Sequence, residues 1–285
     1  MSSLDGKFHL MNSTKELIFS FLGLVALIIL VLSSDLFAAP GPFGFGYAEL
    51  HEPMTTDRPD FTESTKTIQR GHLQGELGYR FTYDDDSDSS SHDIPETLLR
   101  LGVLDIAEAR FSFTGYQNVE DAGDSSYGIS DLSVGTKVKI FEACECNFEL
   151  STIFEITVPS GSSDLSQDDV SPKGTLLWAY DWGSPLSVSG NFNFDVPVDN
   201  GDYYFEPSAS LSFGYAMTDK LGAYAEYFGF YPSGGNAPST VSTHYLNGGF
   251  TYLLDTNLQL DILSGFGIND AADDYFCGFG LSFRI

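Results

Sequence analysis

The sequence is poor in basic residues. Its 285 residues include 13 Lys and Arg against 40 Asp and Glu, so the formal net charge is −27. We expect no nucleic-acid partner, because binding to phosphates requires Lys and Arg side chains. Charged residues of both signs make up only 19% of the chain, so the acids are concentrated at few positions.

Cysteine is also scarce. Cys144 and Cys146 share the stretch "EACECN", where the C-x-C spacing permits only a strained disulfide, and Cys277 is far from both. No disulfide framework, metal-binding spacing, phosphate loop or nucleophile–base motif is recognisable. We therefore expect no cofactor and no enzymatic activity.

Only one long apolar run is present. It spans Leu17–Leu32 without a charge, follows Lys15 and precedes "SSDLFAAP". This order is typical of a secretory signal peptide, which we place at residues 1–39, with an alternative end at residue 48. A short membrane anchor is the other interpretation, although 16 residues are few for a spanning helix.

Helical periodicity is absent after residue 70, and a period of two replaces it. In the stretch over 71–83, the odd positions from Leu73 to Tyr83 are apolar or glycine, and the even positions are mostly polar. Alternation of this kind predicts β-strands with one apolar and one polar face. Twelve strands are predicted, at 71–83, 96–104, 108–117, 130–141, 147–158, 174–182, 186–196, 204–216, 221–231, 242–254, 257–267 and 275–285.

The connections between these strands alternate between long and short. "DDDSDSSSHDIP" and "QNVEDAGDSSYGIS" are long, whereas "DIA" and "GSP" are short. An outer-membrane barrel has this order, with short periplasmic turns and long extracellular loops. The predicted fold is therefore all-β, a single transmembrane antiparallel β-barrel of about 12 strands over residues 71–285, preceded by a periplasmic N-terminal segment over 40–70. The predicted location is the outer membrane of a Gram-negative-type bacterium, with outer-membrane lipid as a partner.

Several stretches resemble a known family. "MTTDRPDFTEST" followed by "GHLQGELGYRFTY", and later "GISDLSVGTKVKIF", are similar to the outer-membrane proteins named for the meta-pathway of phenol degradation, which are labelled as transporters. The resemblance covers residues 54–285 and implies an outer-membrane barrel that passes small solutes, with aromatic or hydrophobic compounds suggested by the family name. The ending "GLSFRI" resembles the signal read by the barrel-assembly machinery, except that its last residue is Ile where an aromatic residue is usual.

The polar strand faces carry charges that we expect to line the lumen. Glu76 and Asp131 are acidic exceptions on a side that is otherwise basic. Two interpretations remain open: opposed basic and acidic walls around an open pore, or charges that pair and fill the lumen. The candidate pore-lining residues are Arg80, Arg100, Arg110, Lys137 and Lys139 on one side and Glu149, Glu155, Asp181, Asp195, Glu206, Glu226 and Asp261 on the other.

The predicted outer loops carry sixteen acids against one base, Lys173. The candidate acidic rim is Asp84, Asp85, Asp86 and Asp88. These carboxylates are either solvated or form a mouth that attracts cations, with loose binding of Ca²⁺ or Mg²⁺.

The predicted function is a channel or passive transporter for small solutes. One alternative is a closed structural or adhesive barrel. Another is a lipid-acting enzyme built on His244 and the serines near it. The segment over 54–65 is predicted to lie at the periplasmic mouth or inside the lumen, with Arg58 paired to Asp261 or Glu149; a disordered tail is the alternative.

Overall fold

The computed structural model describes residue 50 and residues 52–143, 147–183 and 185–285. The predicted signal peptide, both of its proposed ends, and Cys144 and Cys146 lie outside the described residues. Within the described ranges, no helix has the length and apolar character needed to cross a membrane.

The secondary structure of the described residues consists of sixteen β-strands. Their bounds are β1 Leu73–Asp84, β2 Ser89–Leu104, β3 Ala107–Thr114, β4 Gln117–Asp121, β5 Asp124–Gly128, β6 Leu132–Ala143, β7 Phe148–Val158, β8 Ser171–Asp181, β9 Leu186–Asp195, β10 Val198–Asp199, β11 Asp202–Tyr203, β12 Glu206–Ala216, β13 Leu221–Phe230, β14 Thr243–Asp255, β15 Leu258–Gly267 and β16 Tyr275–Arg284.

Twelve of these strands close into an antiparallel barrel. The order around the wall is β1-β2-β3-β6-β7-β8-β9-β12-β13-β14-β15-β16, and β16 returns to β1. The closing pair runs from Gln74↔Arg284 to Tyr83↔Tyr275. The predicted twelve-stranded barrel is therefore confirmed, with strand ends within a few residues of those predicted for most strands.

Three predicted connections contain strands instead, and the short pair β10–β11 occupies one of them, over 198–204. The stretch over 117–130 holds the hairpin β4–β5, whose two-residue turn, Ala122 and Gly123, has positive φ at both positions. This geometry matches the twist of a two-stranded ribbon. The prediction was wrong because acids and serines line both faces of the hairpin, so it lacks the apolar alternation on which strand prediction depends.

The stretch "DDDSDSSSHDIP" is also shorter as a loop than predicted. Only residues 85–88 form the turn, and β2 begins at Ser89. Ser89–Asp93 pair with both β1 and β4, and the ring of His92 packs 4.8 Å from that of Phe81. The extension projects beyond the predicted wall, and pairing on both sides holds it despite its polar sequence.

The strand faces decide between lipid and a protein core. On β9, Phe192 and Phe194 are 48% and 50% exposed, whereas Asn191 and Asn193 are 1% and 3% exposed. A soluble protein would show the reverse. The apolar face therefore points outward to lipid and the polar face points into the lumen. Other outward side chains are Phe111, Val134, Phe154, Ile156, Phe213, Leu246, Phe250, Ile262 and Phe266.

The closed ring of hydrogen-bonded strands predicts that the barrel resists unfolding by SDS. The purified mature chain should migrate as a compact species on SDS gels until it is heated, because the barrel wall has no unpaired edge where unfolding can begin. A gel with heated and unheated samples measures this. A mature chain that stays monomeric and soluble without detergent would contradict the membrane assignment.

Candidate functional site

The chain before β1 lies inside the barrel. At the periplasmic end, the amide of Met54 donates to the Thr256 carbonyl at 2.9 Å, and Arg284 donates to the Glu52 carbonyl at 2.8 Å. From there, residues 52–72, which we call the lumen segment, contact the inner faces of strands on several sides. Of the two positions predicted for 54–65, the periplasmic mouth and the lumen, these contacts correspond to the lumen.

Backbone amides of the lumen segment are bonded to carboxylates on the wall. Glu76 of β1 accepts from Asp57 and Arg58 at 3.0 and 2.9 Å, and Glu108 of β3 accepts from Ile68 at 2.7 Å. Hydrogen bonds to charged groups contribute more than neutral ones, roughly 1.5–3 kcal/mol each. The wall therefore recognises the backbone of the segment.

Asp57 is the centre of the ionic contacts. Its carboxylate lies 2.6 Å from Arg110 Nη1, 2.8 Å from Lys137 Nζ and 3.4 Å from Arg100 Nη1. Burial alone would raise the pKa of Asp57, but Arg100, Lys137 and Arg110 outweigh it and hold that pKa well below its usual range. One acid of the segment thus contacts three wall cations at once, and Glu76, Glu108, Glu63 and Glu155 supply further negative charge to the two arginines.

A second contact lies across the lumen at β13. Glu226 accepts from the amides of Phe61 and Thr62 at 2.8 and 2.6 Å. Asp60 is adjacent and accepts from Ser212 Oγ at 3.1 Å. Burial, and after it the Glu226 carboxylate, raises the pKa of Asp60 well above its usual value. Two acids therefore face each other here, in contrast to the balanced charges around Asp57.

Arg58 forms the predicted pair with Asp261, at 3.3 Å, and a further one with Glu96 at 2.7 Å. Its guanidinium lies over Gly78 and Gly280, which are paired on the neighbouring strands β1 and β16. A Cβ atom at either glycine would collide with Arg58, so these glycines provide the space for it.

This close approach gives a testable prediction. Gly78→Ala should displace the Arg58 guanidinium and loosen residues 54–69 by about 1 kcal/mol, the size of one net hydrogen bond. Deuterium exchange of that peptide measures the change. Gly174→Ala in β8 is the matched control, because its added Cβ meets nothing within 4 Å. Equal effects of the two substitutions would contradict this role.

The other predicted pore-lining residues are placed as follows. Four of them form ion pairs: Arg80 with Glu96 at 3.0 Å, Lys139 with Glu142 at 2.8 Å, Glu149 with Lys66 at 2.5 Å and Glu155 with Arg110 at 3.2 Å. Asp195 lies opposite Lys173 on the neighbouring strand. Glu206 borders a cavity at the extracellular end. Asp181 does not line the lumen: it is exposed at the periplasmic end and accepts from the Gly183 amide at 2.7 Å. Lys173, predicted in an outer loop, lies in β8.

The predicted basic wall is interrupted by Glu76, which the sequence reasoning recognised, and by Glu108 and Glu96, which it missed. Glu108 and Glu76 are fully buried and both bond to Arg100, at 2.8 and 3.1 Å. Glu96 lies between Arg58 and Arg80. The signal for Glu108 was present, since it is two residues from Arg110 on the same strand face. A uniformly basic wall therefore does not describe this lumen.

The lumen also contains aromatic side chains. The ring of Phe228 stacks with that of Phe61 at a centroid distance of 4.6 Å and with that of Tyr245 at 4.9 Å. Phe230 meets Phe61 edge-on at 5.4 Å, and Phe276 packs against Tyr245. This aromatic cluster, formed by Phe61, Phe228, Phe230, Tyr245 and Phe276, was not predicted, because apolar side chains were assigned to lipid although Phe228 and Phe230 share the strand face of Glu226.

The predicted acidic rim lies at the extracellular tip of the β1–β2 turn. Asp84 ends β1 and accepts from the Asp86 amide at 3.2 Å, and the Asp85 amide donates to Asp274 at 2.8 Å. Asp88 has φ 51° in the same turn. Across the described residues, no group of three or more His, Cys, Asp or Glu is arranged to hold a metal ion. Loose binding of Ca²⁺ or Mg²⁺ stays a prediction.

His244 bears on the enzyme alternative. It lies on the outward face of β14, and its Nδ1 is 2.8 Å from the hydroxyl of Tyr227. The enzyme alternative requires a serine hydroxyl bonded to the imidazole, whereas at this nitrogen the partner is a tyrosine hydroxyl.

Comparison with known proteins places the fold in context. Residues 56–285 match the family described as "Putative MetA-pathway of phenol degradation". The chain belongs to this family. Family membership confirms the resemblance seen in the sequence and covers both the lumen segment from Thr56 onward and the whole barrel.

Solved structures share the barrel. An outer membrane channel from Pseudomonas putida F1 has a TM-score of 0.63 at 13% identity, covering 78% of this chain and 98% of that one. The NanC porin has a TM-score of 0.52 at 10% identity, with 75% and 100% covered. The translocator domain of the autotransporter NalP from Neisseria meningitidis has 0.50 at 9%, with 75% and 87% covered. Among curated proteins, none matches significantly. The protein is an outer-membrane β-barrel.

Proposed function

We propose that this family member is an outer-membrane channel for small solutes, in which the lumen segment occludes the periplasmic part of the pore until it moves. The observation that carries the proposal is the kind of contact that holds the segment. Backbone amides and charged side chains bond it to the wall, as in the contacts of Asp57, Arg58 and Thr62. Water can replace such bonds, so their net contribution is far smaller than their number suggests.

Aromatic or hydrophobic solutes are the finer proposal. The aromatic cluster supports it, because Phe228 and Phe230 give the polar lumen one apolar side. Rings in a water-filled passage offer stacking and apolar contact to an aromatic solute, at roughly 0.5–1.5 kcal/mol for each ring pair.

A closed structural or adhesive barrel is the second candidate, and the ion pairs that fill the lumen favour it. Single-channel recording in planar bilayers separates the two. A channel should show openings in the natural sequence, and their frequency should rise when the lumen segment is loosened by Asp57→Ala. Absence of conductance in both proteins, each verified as folded by its heat shift on SDS gels, would favour the closed barrel.

Selectivity should depend on the rim. If Asp84, Asp85, Asp86 and Asp88 are changed to Asn, the cation-to-anion permeability ratio should fall about twofold or more at low salt. It should change little near 1 M salt, where the Debye length is about 3 Å. Reversal potentials in a KCl gradient measure this, and anion selectivity of the unmodified protein would contradict it.

A further inference from the structure

A cavity of about 320 Å³ lies at the extracellular end of the lumen. It is bordered by the first residue of β12, the last residue of β13 and the loop between β13 and β14. Its volume is at the lower end of the range for small-molecule sites, about 300–1,000 Å³. Among the residues that border the cavity, Glu206 is the one that the sequence predicted to line the pore.

The walls of this cavity combine apolar surface with one carboxylate. Phe230, Pro232, Pro238 and Val241 supply the apolar side, and Glu206 is the sole ionisable side chain among the residues that border the cavity. Most of the lining side chains are apolar, so the cavity suits a ligand with an apolar body.

The charges nearest the cavity are two acids, with one base further away. Asp195 lies directly opposite Glu206 on the neighbouring strand, and Lys173, opposite Asp195, is one strand further away. The loop over 231–242, "YPSGGNAPSTVS", contains no charged residue. Two acids against one base leave a net negative charge here, on the same side of the barrel as the acidic outer loops.

We propose that this cavity binds a small organic cation with an apolar body. The Glu206 carboxylate supplies the counter-charge, and the ring of Phe230 supplies a face that attracts cations. An anion would meet repulsion from Glu206 and Asp195. A neutral aromatic molecule would fill the apolar part but leave the carboxylate without a counter-charge.

The cavity adjoins the lumen segment through one ring. Phe230, in its wall, contacts Phe61 of the segment edge-on at 5.4 Å. A bound cation therefore lies next to the group that anchors the segment on this side. The inference deepens the proposed function and rests on it for its physiological meaning, but binding itself requires no conduction.

Equilibrium binding tests the proposal. The mature chain in lipid nanodiscs is titrated with benzyltrimethylammonium, with neutral benzyl alcohol, with benzoate and with tetramethylammonium, which lacks the apolar body; empty nanodiscs correct for partitioning. Benzyltrimethylammonium should bind about tenfold or more tightly than each of the others, the size of one charge contact supported by apolar burial.

Two variants locate the site. Glu206→Gln should weaken benzyltrimethylammonium about tenfold and leave benzyl alcohol unchanged, since it removes only the charge. Glu120→Gln in β4 makes the same change in net charge elsewhere and should have no effect. Equal binding of the cation and the alcohol, or equal effects of the two variants, would overturn the proposal. Because these are binding data, a negative result leaves the conductance test of the channel separate. Heat shift on SDS gels verifies that each variant is folded.

Discussion

Asp57→Ala will release the lumen segment from the wall. The substitution leaves Arg100, Arg110 and Lys137 close together and buried without their shared counter-ion. Removing one partner of a buried ionic contact costs about 3–5 kcal/mol, because the remaining charges stay desolvated. At about 1.4 kcal/mol per factor of ten, exchange of the amides over 54–69 should accelerate roughly hundredfold or more.

Deuterium exchange with mass spectrometry measures this release, since local opening sets the exchange rate. Asp57→Asn should have a smaller effect, because the amide oxygen can still accept from the Ser64 amide, as Asp57 Oδ1 does at 3.0 Å. Asp86→Asn, an exposed rim acid, is the control that changes net charge equally. Unchanged protection in Asp57→Ala would show that the three cations find other partners and that Asp57 does not hold the segment.

Asp60→Asn should have the opposite effect and tighten the lumen segment. Asp60 is next to Glu226, which already accepts from two amides of the segment. An amide at this position removes a like-charge contact but can still accept the hydrogen bond from Ser212. We expect exchange over 54–69 to slow about fivefold to tenfold at neutral pH, equivalent to roughly 1–1.4 kcal/mol.

The pH dependence follows from the direction of the shift. In the released segment Asp60 has its ordinary pKa of 3.8, and in the bound segment its pKa is higher. At pH values between these two pKa values, Asp60 is therefore more protonated in the bound state than in the released state. The stability of the bound state therefore falls as pH rises through that window and stays lower above it. Asp57 acts in the opposite sense: its lowered pKa stabilises the bound state above pH 3.8, and this contribution is lost as pH falls below it.

Exchange corrected for its intrinsic pH dependence distinguishes these contributions. Between mild acid and alkaline pH, protection of residues 54–69 should decline in the natural sequence and decline less in Asp60→Asn. Faster exchange in Asp60→Asn at neutral pH would show that the Asp60 carboxylate stabilises the segment as an anion.

The sequence by itself determined the barrel. Strand alternation such as that of Leu186–Asp195, combined with alternating long and short connections, was sufficient because each strand separates lipid from water along its whole length. It also excluded the segment over 54–65 from the wall, since a charged segment without alternation of its own has no place there, but it left the lumen, the periplasmic mouth and a disordered tail open.

Only the tertiary structure decided how the lumen is filled. Alternation places Glu108 and Glu76 on lumen faces, but only strand register and the lumen segment that runs over them make both acids partners of Arg100. Phe228 and Phe230 share the inward face of β13 with Glu226, but only the tertiary structure brings Phe61 of the lumen segment against them. The hairpin β4–β5 formed without an apolar face because β2 extends beyond the wall to pair with it. In each case the deciding contact joins residues distant in sequence, and alternation describes only neighbours along one strand.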